Sequence, residues 1–435
     1  MRSHSAIAAT LTAILLTSCI QSGAGNAFVE PTCCRVEGKA VAERHKVGAI
    51  TSRRFTQDVL WRSIEQPLGA SALSVGNIGT SIQGRPIKSV TYGTGPVTVL
   101  LWSQMHGDES TATMSLADLI AWFGSTDPVH AALRSRIATN LKVVMVPMLN
   151  PDGAELFQRE NAIGIDVNRD ARNLVTPEAR ALKALRDSIK PQFGFNLHDQ
   201  NARTLTGGNG NQVAIALLAP AADQERSYGP TRRTARLIAS VIASVLKDEI
   251  PGKLAKYNDA YEPRAFGDLM QQWGTSTVLI ESGAMRDDPE KQQLRAMNVI
   301  AILSALDAMA TGAYRSADPA AYEGIPTNSR SAVDVLLRGG SIVLPGSVPF
   351  RADIALNYEE SVAKIDPRVT SVGDLVAMVA LDTVDISGLF VHPEPAMLEV
   401  RQNARWIRFD TTAVFAIRRG ASATSELVRT IGTRR

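Results

Sequence analysis

The chain has 435 residues, 45% of them apolar and 20% charged, which is enough to bury one large core plus a smaller one and too apolar for disorder to be the default. Lys and Arg number 46 against 43 Asp and Glu, a net charge of +3, so the charge gives no reason to expect a nucleic acid partner. The three cysteines, Cys19, Cys33 and Cys34, all lie near the N-terminus, which excludes an internal disulfide framework for the folded body.

The first residues read as a leader. Arg2 and His4 give a polar start, Ala6 to Leu16 is an apolar run too short to span a membrane, and Leu16-Thr17-Ser18-Cys19 follows. This resembles the lipobox of bacterial lipoproteins, which implies that residues 1–18 are a signal peptide and Cys19 is the lipidated anchor. Ordinary cleavage near Ala24 or Ala27 is the other reading, and both put the body outside the cytoplasm, in the periplasm or outer cell envelope. A lipid on Cys19 would then be the one membrane contact. Residues 19–50 lack clear periodicity and read as a linker, and a bond between the adjacent Cys33 and Cys34 would be strained.

From there the chain alternates. Apolar spacing predicts a helix over Phe55 to Leu68, and Gly79 to Ile87 (GTSIQGRPI) reads as a turn between short strands. Val97 to Trp102 is a buried strand, followed by a helix from Ser110 to Phe123 whose Ser110 and Thr111 fit a capped start. Leu141 to Met148 is an apolar strand ending in the turn signal Asn150-Pro151-Asp152-Gly153. A helix opens at Pro177, and the strand Phe193 to Leu197 runs straight into His198. Val213 to Leu218 reads as a strand, Thr231 to Ile250 as a helix, and Thr277 to Ile280 as a strand ending at Glu281. Asp288 to Met309 is a long amphipathic helix opened by Asp288 and Pro289.

Strands alternating with helices predict an α/β fold: a mixed, mostly parallel sheet flanked by helices on both faces. Composition shifts at Ser316 to Pro326, and beyond it short β-branched segments separated by turns predict a smaller β-rich C-terminal domain. The expected organisation is therefore signal peptide 1–18, linker 19–50, main domain 51–315 and β-rich accessory domain 316–435.

His106 and Glu109 stand three apart in the loop that leaves the strand ending at Trp102, where α/β sheets usually build their sites. An imidazole and a carboxylate at this spacing can converge on one zinc ion. Alone the pair is equally a loop His and a helix-capping Glu. Three further polar sets leave other strand ends, namely Asn150 to Asp152, His198 and Glu281. Two His and one Glu make a zinc set that leaves a position for water, and a further carboxylate can act as base. His198 as third ligand and Glu281 as base fit that need; the remaining His4, His45, His130 and His392 lie in the leader, the linker, a loop and the C-terminal part.

In order, GTSIQGRPI, MHGDE, NPDG, RENAIGIDVNRD, NLHDQ and IESG resemble the zinc carboxypeptidases of the carboxypeptidase A type, the funnelins, over Gly79 to Gly283. The resemblance implies one zinc held by His106, Glu109 and His198, with Glu281 activating the attacking water. It implies that Arg159 polarises the scissile carbonyl, that Asn168 and Arg169 grip the terminal carboxylate, and that Asp166 supports the first zinc His. A mobile Tyr covers the substrate in this family; Tyr257 and Tyr261 are both available, and spacing back from Glu281 favours Tyr261. The floor of the specificity pocket falls near Gly267 or Asp268, where Asp would favour a basic terminal side chain and Gly would leave an open pocket. Asp170 departs from the family's usual second Asn, and its charge beside Arg169 would compete with a substrate carboxylate.

The expected function is an exported zinc metallocarboxypeptidase acting on peptides with a free C-terminal carboxylate. The alternatives are a cell-wall peptidase acting on peptidoglycan stem peptides or γ-glutamyl bonds through the same zinc site, and a non-catalytic envelope binding protein.

Overall fold

A computed structural model describes residues 32–208, 210–409 and 411–432. The signal peptide and Cys19 lie outside the described residues. Strands β1 (Leu73–Thr80), β2 (Pro86–Tyr92), β3 (Val97–Ser103), β4 (Leu141–Val146), β5 (Phe193–Asp199), β7 (Ile215–Leu218), β8 (Leu254–Lys256) and β9 (Ser276–Ser282) form one sheet in the order β1-β2-β4-β3-β5-β9-β7-β8, while β6 (Leu205–Thr206) pairs with Asn328–Ser329. The centre, β4-β3-β5-β9, is parallel, and antiparallel pairs flank it. The sheet is thus mixed and mostly parallel, as the alternation predicts.

The sequence of β3 explains why both faces are covered. Val99 and Leu101 face one core and Leu100 and Trp102 the other, because side chains alternate across a strand and none of the four can be left wet. The helices are α1 (Thr32–Arg44), α2 (Gln57–Ser63), α3 (Glu65–Leu68), α4 (Thr111–Phe123), α5 (Ala131–Asn140), α6 (Pro151–Leu156), α7 (Pro177–Ile189), α8 (Pro230–Leu246), α9 (Phe266–Gln272) and α10 (Gln292–Thr311). The larger core takes residues from α4, α5, α8 and α10, and the smaller from α7 and α9.

Two local expectations are corrected. Within the expected linker 19–50, Thr32–Arg44 is helix α1, and its Val41 and Ala42, with Val47 and Ile50 beyond it, belong to the main core. The helix packs on α10, with Gly38 so close that a Cβ there would stand 3.2 Å from the Cα of Ile300. Its pattern is weak because five of its 13 residues are charged, yet a distant helix supplies its apolar partner. For the same reason α10 is not amphipathic but buried around most of its circumference, enclosed by α1, α4, α5 and α8. Its length and hydropathy would suffice to cross a membrane, but 78% of its apolar window is buried inside the protein. Asp288 does cap it, from four residues upstream, accepting the amides of Gln292, Gln293 and Leu294 at 2.7, 2.9 and 3.2 Å.

A single buried cation fastens this corner. Arg295, 1% exposed, donates to Asp118 of α4 through Nε (2.7 Å) and Nη2 (2.5 Å) and to the carbonyls of Ile50 (2.6 Å) and Val47 (3.1 Å). The C-terminal region is β-rich, with a four-stranded sheet and a five-stranded sheet around a third core. It is joined to the main sheet's side by Arg203 to Asp334 at 3.0 Å and by Arg53 and Arg54, both of which reach Glu360.

Candidate active site

Three neighbouring parallel strands end on one edge, and each delivers one part of the site. β3 leads to the loop carrying His106 and Glu109, β5 carries His198, and β9 carries Glu281, whose Cα pairs directly with that of His198. The His106 loop is sewn to the NPDG segment: Leu149 and Asn150 donate to the carbonyls of Ser103 and Gln104 at 3.1 and 3.0 Å. Gly107 and Gly153 meet backbone to backbone, a Cβ on Gly107 standing 2.0 Å from the Gly153 carbonyl carbon, so neither position tolerates a side chain. NPDG, expected as a turn, opens α6 instead, with Asn150 accepting from the Gly153 amide at 2.9 Å. Asp152 of the same segment holds the GTSIQGRPI turn through Ser81 Oγ, the Gln83 amide and Arg85 at 2.7, 2.9 and 2.7 Å. Ser110, expected as a cap, makes no capping bond and donates to the Arg53 carbonyl at 2.5 Å.

Among the described residues His106, Glu109 and His198 are the group that could hold a metal ion, their donor atoms all within 4.8 Å of one another. Nδ1 of His106 is 2.8 Å from Glu109 Oε1, and Nδ1 of His198 is 2.6 Å from Oε2 and 3.2 Å from Nδ1 of His106. His106 presents Nε2 to Asp166 Oδ1 at 3.0 Å, which fixes its tautomer and leaves Nδ1 for a ligand. The other Asp166 oxygen accepts from Arg159 Nε (3.1 Å) and Nη2 (2.8 Å). Arg159 is therefore braced with Nη1 beside the donors, 3.2 Å from Glu109 Oε1.

Electrostatics match a cation site. Burial opposes charge on His106, but Glu109 and Asp166 outweigh it and push its pKa up to about 9. His198, fully enclosed, is pulled down by burial. Burial also opposes ionisation of Glu109 and Asp166, yet the imidazoles facing them, with Arg159 at Asp166, hold both carboxyls well below the usual range. Glu281 is pushed up to about 8 by burial, with the Glu109 charge adding to it, and its Oε2 is buried without a hydrogen-bond partner. Two imidazole nitrogens and a carboxylate are borderline donors suited to zinc, and a divalent cation would compete with protons for the same atoms. The residues present fit the metal that the resemblance implies.

The cleft around them encloses about 790 Å³. Arg159, Asn168 and Arg169 all line it. Asn168 accepts from the Phe266 amide at 3.0 Å and stands 3.4 Å from His198 Nε2, tying α9 to the metal side. Arg169 is partly exposed, its Nη1 donating to the Asn168 carbonyl at 2.9 Å. Asp170 does not compete with it: buried, it accepts from Val175 N, Thr176 N and Thr176 Oγ1 at 2.8, 2.7 and 2.8 Å, so its charge is spent closing the loop before α7. Gly267 and Asp268 both line the far end, and burial pushes the Asp268 carboxyl up to about 7.

Of the two tyrosines, Tyr257 lines the cleft, and the Glu281 charge followed by burial raises its pKa. Tyr261, favoured by spacing, is not among the cleft residues and interacts with Gln272. The reason is that Tyr257 leaves β8 with its amide bonded to the Leu217 carbonyl, whereas Tyr261 comes after the chain has turned towards α9. Sequence reasoning also passed over Arg53, Lys291, Arg330 and the segment Glu359 to Val362, all of which line the cleft. Lys291 is 3% exposed, adopts φ 52° and donates to Asp199 at 2.9 Å, behind Glu109. No local signal marks these residues, since each reaches the site from an element distant in sequence.

Residues 69–179 match the family model described as zinc carboxypeptidase, which bears out the resemblance drawn from the motifs. His198 and Glu281 lie beyond the matched span. Carboxypeptidase 2 of Trichophyton rubrum is 28% identical over 104 residues, covering 23% of this chain and 19% of that protein. Carboxypeptidase SOL1 of Arabidopsis thaliana is 30% identical over 141 residues, 28% of either chain. The chain therefore spans about a fifth of the length of the fungal relatives it matches. A solved metallo-carboxypeptidase from Burkholderia cenocepacia aligns with a TM-score of 0.48 at 16% identity, over 59% of this chain and 70% of that one.

Proposed function

We propose that this chain, which carries the zinc carboxypeptidase pattern over residues 69–179, is a zinc-dependent metallocarboxypeptidase that hydrolyses the last peptide bond of peptides. The observation that carries the reading is the convergence of His106, Glu109 and His198 beside an unpartnered, buried Glu281, in a cleft that also holds Arg159 and Arg169. In this reading His106, Glu109 and His198 would hold one zinc ion, and the chemistry it would supply when bound is that of a Lewis acid for the attacking water and the scissile carbonyl.

The protein's own groups supply the rest. Glu281 would take the proton of the attacking water and hand it to the leaving amine nitrogen, one proton in and one out; its Oε2 has no competing partner, and a cation held by Glu109 and the two imidazoles would offset the Glu109 charge that otherwise keeps this carboxyl protonated. Arg159, immobilised by Asp166, offers a fixed charge to the oxygen on which negative charge develops. Arg169 presents a planar fork to the substrate's terminal carboxylate, and Asn168 lies beside it. A required free C-terminus is what would make the enzyme an exopeptidase.

The test is product analysis on a peptide and its C-terminally amidated twin. Release of single C-terminal residues from the free acid alone, lost on chelation and in Glu281→Gln, is expected. Equal cleavage of the amide, or full activity of Glu281→Gln, would refute the assignment.

The reading extends to an exported protein, supported by the apolar run Ala6 to Leu16 and Leu16-Thr17-Ser18-Cys19. Palmitate labelling that is abolished by Cys19→Ala is the expected result for a lipid anchor, and persistent label would rule the anchor out.

A further inference from the structure

A second depression of about 1120 Å³ adjoins the cleft and shares four wall residues with it, Arg53, Asp108, Glu359 and Glu360. The two meet along those residues. This trough joins on the side of Asp108, beside the metal donors, whereas Arg169, Gly267 and Asp268 line the cleft alone. If the terminal carboxylate sits on Arg169, the rest of the peptide must leave past the donors in the other direction. The trough lies that way.

Its near wall is catalytic-side chain and its far wall is the β-rich region. Phe157, in a left-handed conformation (φ 50°), lies under Arg53 and Arg54 at 5.1 and 4.5 Å, and both guanidiniums reach Glu360 across the trough. Opposite stand Tyr358, Lys364 and Arg429. On the far wall the carboxylates are engaged, Glu360 by the two arginines, Glu359 by Arg368 at 2.6 Å, and Asp366 by Arg368 at 3.1 Å and by Thr412, while Asp108 at the junction with the cleft keeps its Oδ1 buried without a partner. Among the described residues Lys364 and Arg429, both exposed, have no ion-pair partner. Two free cations and an aromatic ring in a trough of this size suit several residues of peptide carrying a negative charge.

We propose that this trough seats the part of a peptide upstream of the scissile bond, and that Lys364 and Arg429 of the β-rich region make it select an acidic side chain there. The inference rests on the carboxypeptidase reading above. The β-rich region is then part of substrate recognition rather than a separate module.

The experiment uses the full, zinc-loaded protein and two heptapeptides that share their last two residues but carry Glu or Lys upstream. Each kcat/KM is divided by that for a blocked dipeptide measured on the same preparation. The Glu peptide is expected to be preferred by roughly tenfold, about threefold per exposed cation, with the preference shrinking as salt rises. K364E/R429E is expected to invert the preference and K364Q/R429Q to abolish it. Equal turnover of both heptapeptides by the wild type, or an unchanged ratio in the charge-reversed variant, overturns the inference and leaves the carboxypeptidase reading standing. No turnover of the dipeptide or of either heptapeptide overturns both.

Discussion

Asp166 is the residue whose loss should separate metal binding from folding. Its two oxygens serve two partners, His106 Nε2 at 3.0 Å and the Arg159 guanidinium at 3.1 and 2.8 Å, and its side chain is about one-fifth exposed. Asp166→Ala removes the acceptor that orients the His106 ring and raises its basicity, a change that typically lowers metal affinity by about 10–100-fold, or about 1.4–2.7 kcal/mol. The same change frees Arg159 from both of its braces, so kcat should fall further than zinc occupancy alone explains. Because His106 and Arg159 overcome burial and hold the Asp166 carboxyl well below the usual range, it stays ionised near neutrality, and its own titration adds no pH dependence to the loss there. Competition against a zinc chelator gives the affinity, and turnover at saturating zinc gives the second effect. Wild-type affinity in Asp166→Ala would refute the idea that this carboxylate supports the metal site.

Three further outcomes follow from the geometry. Arg295→Met should cost about 3–5 kcal/mol in urea unfolding because it strands Asp118 at 1% exposure, and adding Asp118→Leu should restore most of that; a double variant as unstable as the single one would show the pair is not the cause. Burial pushes Asp268 up to about 7, so it is neutral below and charged above; the preference for C-terminal Lys over Leu should grow as pH rises through 7 and become flat in Asp268→Asn, and a flat wild-type profile would remove Asp268 from the pocket. Tyr257→Phe should reduce kcat/KM tenfold or more while Tyr261→Phe leaves it nearly intact, and the reverse result would mean that the chain after β8 moves before reaction.

How much of this was readable before folding varies with the distance over which the cause acts. The strand Val97–Ser103 is legible because every other residue must face one of two cores, and that leaves a purely local record. The same holds for Phe193–Asp199 and Ser276–Ser282, so the placement of His106, His198 and Glu281 at strand ends follows from apolar runs and their limits. Helix α1 left no such record. Its apolar face is short, and only the distant α10 makes it a stable helix rather than a linker. Asp170 shows the same limit at the site: its sequence position beside Arg169 suggested competition, but its carboxylate turns to the amides at 175 and 176.

The sequence by itself determined the kinds of group available and the strand ends from which they emerge, since the period of a strand and the chemistry of His, Glu and Arg are properties of the chain. Only the tertiary structure decided which groups share a cleft. It chose Tyr257 over Tyr261, brought Lys291 behind Glu109, and set the β-rich region against the mouth through Arg53 and Glu360. Those choices depend on sheet order and on contacts between elements far apart in sequence, 92 residues for Lys291 and Asp199 and 307 for Arg53 and Glu360, and neither leaves a periodic trace along the chain.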